Sequence, residues 1–448
     1  MIKIIMTTPP SIRRFPSRGL NAARSGDAPL RQRAPRFTAA MLALSLAAAV
    51  IPAAHSFAAE AGAATQETLT ALNVQAAQLY RQGKYAEAVA ISRQALSLAE
   101  RLHGPEHPEV ARTLSNLAAM YQAQGRLTEA VPLQERALVI RQKALGSKHP
   151  DVALSLNNLG ELYRAAGRYD EAEPLYKLAF VIWEKALGPD DPKLAMSLNN
   201  LALVYRAKNR NSEAEPLLKR AIEINEKALG RDHPDLAASL VNLALLYQDN
   251  RDYDKAEQLF KRALAALEKA LGPDHPSVAQ AVSNLALLHD QQGRYAEAEA
   301  LTKRALAIRE RALGPDHPSV AESLNNLAAL HRAQGHAAEA EQLLKRAISI
   351  REKALGPDHP NLANSLFNLA KLYQDQGRAR EVEQLFKRVL AIREKALGPD
   401  HPHVGDTLEE LARLYEAQGR TAEAEPLRRR ASAIRAKTPG SGQGKGER

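Results

Sequence analysis

Seven asparagines stand 42 residues apart, at Asn116, Asn158, Asn200, Asn242, Asn284, Asn326 and Asn368, each directly before a leucine. A carboxamide donates through its N–H groups and accepts through its carbonyl at once, which matches the alternating C=O and N–H of an extended chain laid across a row of such residues. Asparagine is a mediocre helix residue, so using it seven times at one interior position carries a repeated cost. Two outcomes are open: the row faces an extended ligand, or each amide bonds a neighbouring helix and spaces the stack. Arg164, Arg206 and Arg332 follow Asn158, Asn200 and Asn326 by six residues, within two turns of the same helix. A guanidinium there either adds charge-assisted bonds to acidic side chains or a C-terminal carboxylate, or stays solvated.

Histidine recurs at the same interval, at His107, His149, His233, His275, His317, His359 and His401, with Asp191 in the remaining copy. Successive copies are two helices apart, and neighbouring helices sit ~8 to 10 Å from each other. Ligands of one zinc must each approach it to about 2 Å. The ladder therefore reads as linker residues that precede a helix-starting proline and cap or pack it. His401 with His403, and His331 with His336, lack companion acids at ligand spacing. Cysteine is absent, which excludes thiol catalysis, Cys-ligated zinc, disulfides and a lipidated N-terminal cysteine. The glycine-rich stretch around Lys445 lacks the upstream glycine and the Ser or Thr of a phosphate loop. Glu171 and Glu173 recur with the repeat and read as helix-start charges on the dipole rather than an acid and base pair. No catalytic set, metal or cofactor is expected.

These residues sit on a unit that can be written from Asp151 to Pro192. Val152, Leu156, Leu159, Gly160 and Tyr163 form one helical stripe, and Ala172, Leu175, Ala179, Ile182 and Ala186 form a second. Gly167-Arg168 breaks them: the glycine suits a left-handed turn, and Asp170 is expected to accept N–H groups at the start of the second helix. Pro174 is expected in that helix's first turn, Gly188 ends it, and Pro192 opens the next unit. A period of this length means a solenoid, each unit burying its apolar face against its neighbours. Hydrophobic residues make up 45% of the chain and aromatics only 4%, so the packing rests on Ala and Leu, as closely stacked helices require.

The run L-N-N-L-A/G-x-L-Y-x-x-x-G-x-Y-x-E-A-E-x-L, at Leu156 to Leu175 and again at Leu324 to Leu343, resembles the tetratricopeptide repeat. The 42-residue period and the GPDHP linker resemble its kinesin light chain variety, over roughly residues 66 to 437. The resemblance implies an all-α, right-handed superhelical solenoid of about nine helix pairs, whose first helices line a concave groove that grips peptide segments. By the same resemblance the asparagine row faces that groove. The heptads of kinesin are absent, so motor transport is not implied.

The ends carry a different signal. Residues 1 to 58 hold eight basic residues against Asp27 alone, followed by the apolar run Phe37 to Ala54, the layout of a secretory signal. Either it is cleaved near Ser56 to Ala61, or it is kept as an N-terminal anchor. From Arg428 on, seven bases face Glu447, and residues 438 to 448 read as a flexible basic tail. With both ends set aside, the formal +10 shrinks to about −3 for residues 59 to 427, so the array lacks the basic face that nucleic acid needs. The expectation is an exported, periplasmic or extracellular, monomeric scaffold. It holds a protein or peptide partner in its groove and is not an enzyme. The alternatives are a structural part of a cell-envelope assembly and an accessory subunit of an enzyme encoded elsewhere. Membrane contact is expected only if the N-terminal segment stays attached.

Overall fold

A computed structural model describes residues 65–437; the expected leader and tail lie outside them. Nine helix pairs fill these residues. The first helices are α1 (Gln66–Arg81), α3 (Pro108–Ala123), α5 (Pro150–Ala165), α7 (Pro192–Ala207), α9 (Pro234–Asp249), α11 (Pro276–Gln291), α13 (Pro318–Ala333), α15 (Pro360–Asp375) and α17 (Pro402–Ala417). The second helices are α2 (Tyr85–His103), α4 (Leu127–Leu145), α6 (Tyr169–Leu187), α8 (Asn211–Leu229), α10 (Tyr253–Leu271), α12 (Tyr295–Leu313), α14 (Ala337–Leu355), α16 (Ala379–Leu397) and α18 (Thr421–Lys437). The fold is an all-α superhelical solenoid. Among the described residues no helix is long and apolar enough to cross a membrane.

From α3 on, each first helix opens on a proline whose missing N–H is not needed there. The residue before it caps the helix: His149 Nδ1 accepts the Asp151 N–H at 3.1 Å, His359 that of Asn361 at 3.0 Å, and Asp191 that of Lys193 at 2.8 Å. The linker role expected of the histidines is thus the observed one. Three local expectations need correction. Asp170 does not cap α6, because the helix starts two residues earlier than expected and puts Arg168 at the cap; Asp170 instead pairs with Lys208 of the next repeat at 2.8 Å. Asp252, at the equivalent of Arg168, does cap α10. Pro174 is the sixth residue of α6, past the first turn, where it forfeits a helical hydrogen bond. Ala186 is exposed, and Tyr176 and Trp183 fill the buried stripe of α6 with Ala172, Ala179 and Ile182. Gly160 is required by one of them: a Cβ there would stand 2.9 Å from the Tyr176 ring.

Curvature follows from unequal spacing. First helices touch one another directly at α3 with α5, α5 with α7, α7 with α9 and α13 with α15. The second helices are bridged by long side chains, such as Arg220 to Glu184 at 2.9 Å and Arg346 to Glu310 at 2.7 Å. The stack therefore bends toward its first helices, which form the inner layer. The bend closes on itself after six repeats. His359 Nε2 meets the Ala123 carbonyl at 2.9 Å across 236 residues of sequence, while Pro360 lies on Gly125. His317 and His401 likewise bond the backbones of Arg81 and Ala165. One neutral tautomer serves both contacts of each ring, with Nδ1 accepting the cap N–H and Nε2–H donating across the turn. Burial pushes the imidazoles down, to about 4 for His359 and about 3 for His401.

Candidate functional site

Residues four and seven positions apart share a helix face, and this sets the inner stripe of the middle repeats. It runs Met196, Asn200, Leu203 on α7; Ala238, Asn242, Leu245 on α9; and Gln280, Asn284, Leu287 on α11. The asparagines are half-buried or buried, Asn158 and Asn284 most deeply. Three of them bond the preceding repeat through Nδ2: Asn116 to Asn73 Oδ1 at 3.2 Å, Asn200 to Asn157 at 3.1 Å and Asn242 to Asn199 at 3.2 Å. Asn284 accepts from Gln280 at 3.4 Å. The Asn158 carbonyl oxygen is buried and has no hydrogen-bond partner. Asn326 and Asn368 are half-buried on α13 and α15. A carboxamide has two donors and an acceptor, so the inter-repeat bonds leave hydrogen-bonding capacity on each amide of the row.

The acceptors Asn73, Asn157 and Asn199 were missed in the sequence, although the doubled L-N-N-L phrase displays two of them. The half-buried leucines Leu203 and Leu287 were missed as well, because an apolar helix position reads first as core; Leu245, at the same position of α9, is core.

All three arginines already have carboxylate partners. Arg206 pairs with Asp249 and Arg332 with Asp375, each one repeat further on and partly exposed. Arg164 holds Glu161 at 2.7 Å and is more enclosed; burial opposes its charge, but Glu161 and Tyr176 raise its pKa above the ordinary value. Glu173 is not a mere helix-start charge. It accepts from Lys177 at 2.7 Å, from Lys208 and Arg210 at 3.0 Å, and from the Tyr205 hydroxyl at 3.2 Å, so it ties two repeats together. A further row is buried between repeats: Arg309 bonds Ser323 at 2.7 Å, Arg351 bonds Ser365 at 2.7 Å, and Arg393 bonds Thr407 at 2.8 Å. Burial brings Arg351 and Arg393 down to about 10.

The tetratricopeptide repeat family model matches eight overlapping stretches, from 67–143 through 373–437. No curated protein matches. Among solved structures, a putative kinesin light chain from Podosopora anserina with nearly identical TPR-like repeats is 33% identical over 46% of this chain and 97% of that chain, with a TM-score of 0.39. BtubC (BKLC) from P. vanneervenii is 28% identical over 51% of this chain and 92% of its own, with a TM-score of 0.43. A Rap protein complexed with Competence and Sporulation Factor is 17% identical over 84% and 99%, with a TM-score of 0.53. The chain belongs to the tetratricopeptide repeat family, with repeats of the kinesin light chain-like kind. Arrays of this family are in general non-catalytic scaffolds for protein–protein interaction, and protein partners are what this chain's fold points to.

Proposed function

We propose that the chain is an exported, non-enzymatic scaffold that holds an extended peptide segment against its first helices. The observation that carries the reading is the amide row from Asn116 to Asn368 beside the partly exposed Leu203 and Leu287, which offers peptide groups a repeated donor and acceptor next to apolar contact. The exposed pairs Arg206–Asp249 and Arg332–Asp375 are of the kind worth roughly 0 to 1 kcal/mol, so a ligand carboxylate can exchange with the aspartate in either. Arg164, enclosed with Glu161, contributes less to such exchange. A Rap protein of this fold is complexed with a further factor, which is compatible with a holding role. Export rests on the leader layout of residues 1–58 alone.

The Nδ2 bonds of Asn116, Asn200 and Asn242 favour a second reading, in which the row spaces the repeats. Replacing Asn158, Asn200 and Asn326 by Ala separates the two. Under peptide holding, circular dichroism stays nearly unchanged while partner capture from envelope extract weakens by about 0.5 to 1.5 kcal/mol per neutral bond. Loss of helicity without selective loss of capture supports spacing. N-terminal sequencing of native protein tests export: a mature start near Ala59 or Gly62 is expected, and a soluble cytoplasmic form beginning at Met1 overturns it.

A further inference from the structure

The junction that closes the superhelix joins two kinds of surface, and each is left over at one edge of the array. One kind is the end of a first helix with its turn; the other is a His-Pro linker. Within the chain they mate three times, and no side chain fits between them. A Cβ on Gly83, Gly125 or Gly167 would come within 3.0, 2.3 and 2.9 Å of Pro318, Pro360 and Pro402 respectively. From α7 onward the turns have no linker resting on them among the described residues, and around Gly293, Gly335, Gly377 and Gly419 there is open space. At the opposite edge the linkers at His107, His149, Asp191, His233 and His275 have no turn glycine against them among the described residues. His149 keeps 40% of its side chain exposed, whereas His359, inside a junction, keeps 5%.

A second copy that continued the superhelix would bring its free linkers onto these free turns. The register is set by the six-repeat offset of the internal junctions. The second copy's first repeat takes the tenth position, so its α1 start falls on the turn between α7 and α8, and its Pro108 on the turn between α9 and α10. Those two turns are the ones that carry side chains. Asn209 and Arg251, at φ 59° and 62°, are the non-glycine residues of positive φ among the described residues, and they stand where the other turns of the array have glycine. A left-handed conformation is disfavoured for a residue with a Cβ, and for arginine more than for asparagine. On the turn between α9 and α10 the Cβ of Arg251 would also strike the incoming Pro108, whereas the start of α1 that meets Asn209 carries Thr65 and Gln66 in place of the His-Pro pair.

We propose that the two axial edges form a complementary docking surface for a second copy of this chain, and that Asn209 and Arg251 hold it shut. At the four histidine linkers the contact is the one already made inside the molecule: a neutral linker imidazole donating to a helix-end carbonyl, with proline packed on the turn. Four of the six receiving turns have glycine and are ready for it. The first two are obstructed, and a rigid array cannot engage the later turns while the earlier ones are propped open.

Sedimentation velocity of the full chain over a wide concentration range tests this with the variant N209G/R251G. Glycine relieves the left-handed backbone, so the fold is retained, which circular dichroism and the fluorescence of the single tryptophan, Trp183, verify. Wild type is expected to sediment independently of concentration, and the variant to rise at least to the dimer. Adding His149→Ala and His233→Ala, which strip two free linkers of their donors, is expected to return the variant toward monomer. The proposal is overturned if N209G/R251G sediments as wild type does, if wild type already associates to the same extent, or if association survives loss of the linker histidines.

Discussion

Glu173 shows how single residues join the repeats. Burial works against its charge, yet the bonds from Lys177 and Lys208 prevail and hold the carboxyl at about 2. Glu383, facing Arg420, Lys387 and Tyr415, is likewise held at about 2. Because both values lie below the unfolded one of about 4.5, their stabilisation is present above that pH and is lost as pH falls toward 2. Glu173→Gln keeps the shape but takes the carboxylate from Lys177 and leaves Lys208 with Asp170 and Arg210 with Glu213 alone, so a loss of about 1 to 2 kcal/mol is expected in urea unfolding at neutral pH, shrinking on acidification. Gly160→Ala is expected to cost about 1 to 3 kcal/mol by the same measurement, since the added methyl drives into a fully buried tyrosine. Neither role was legible beforehand. Glu173 recurs like any helix-start acid, and its partners lie one repeat away; Gly160 sits in an apolar stripe where a small residue attracts no notice.

At the scale of elements, the linker carries two functions in one imidazole. His359 and His401 titrate well below the unfolded value of 6.5, so the unfolded chain takes up protons first. Their contribution is complete above pH 6.5 and is lost as pH falls from there toward 4 and 3, at up to about 1.4 kcal/mol per pH unit for each ring. Acid titration followed by hydrogen exchange is expected to show the ends of α3 and α5 losing protection before the carboxylate clusters fail, and the double variant H359A/H401A is expected to lack that first step. Helix bounds were readable, since proline, histidine and glycine punctuate most copies and each acts locally. The junction was not readable, because the number of repeats per turn depends on a small rotation accumulated over many interfaces. Linkers with the same His-Pro pair therefore differ in role: His149 bonds its cap N–H, and His359 meets a carbonyl as well. The missed cap at Asp170 has a local cause, a shift of two residues in a tight turn.

For the whole molecule, the last second helix keeps its inward apolar face and carries polar residues at two outward positions. Ala431 and Ile434 of α18 are buried against α17, while Arg428 and Ser432, at the positions of Phe386 and Leu390 one repeat earlier, face solvent. Restoring Phe and Leu at these two positions is expected to add a sticky face worth ~1.5 to 3 kcal/mol per side chain once covered. Light scattering checks it, and a double variant as monodisperse as wild type would point to a partner on that end. The coils themselves behave differently from those of an open repeat array. An open superhelix under tension lengthens as a soft spring, by small rotations shared among all its repeats. Here the seams at His317, His359 and His401 fasten the first coil to the second, so a pull along the axis loads those hydrogen bonds before it unwinds a single repeat. The molecule is a spring with a catch, stiff until the seams part and compliant afterwards.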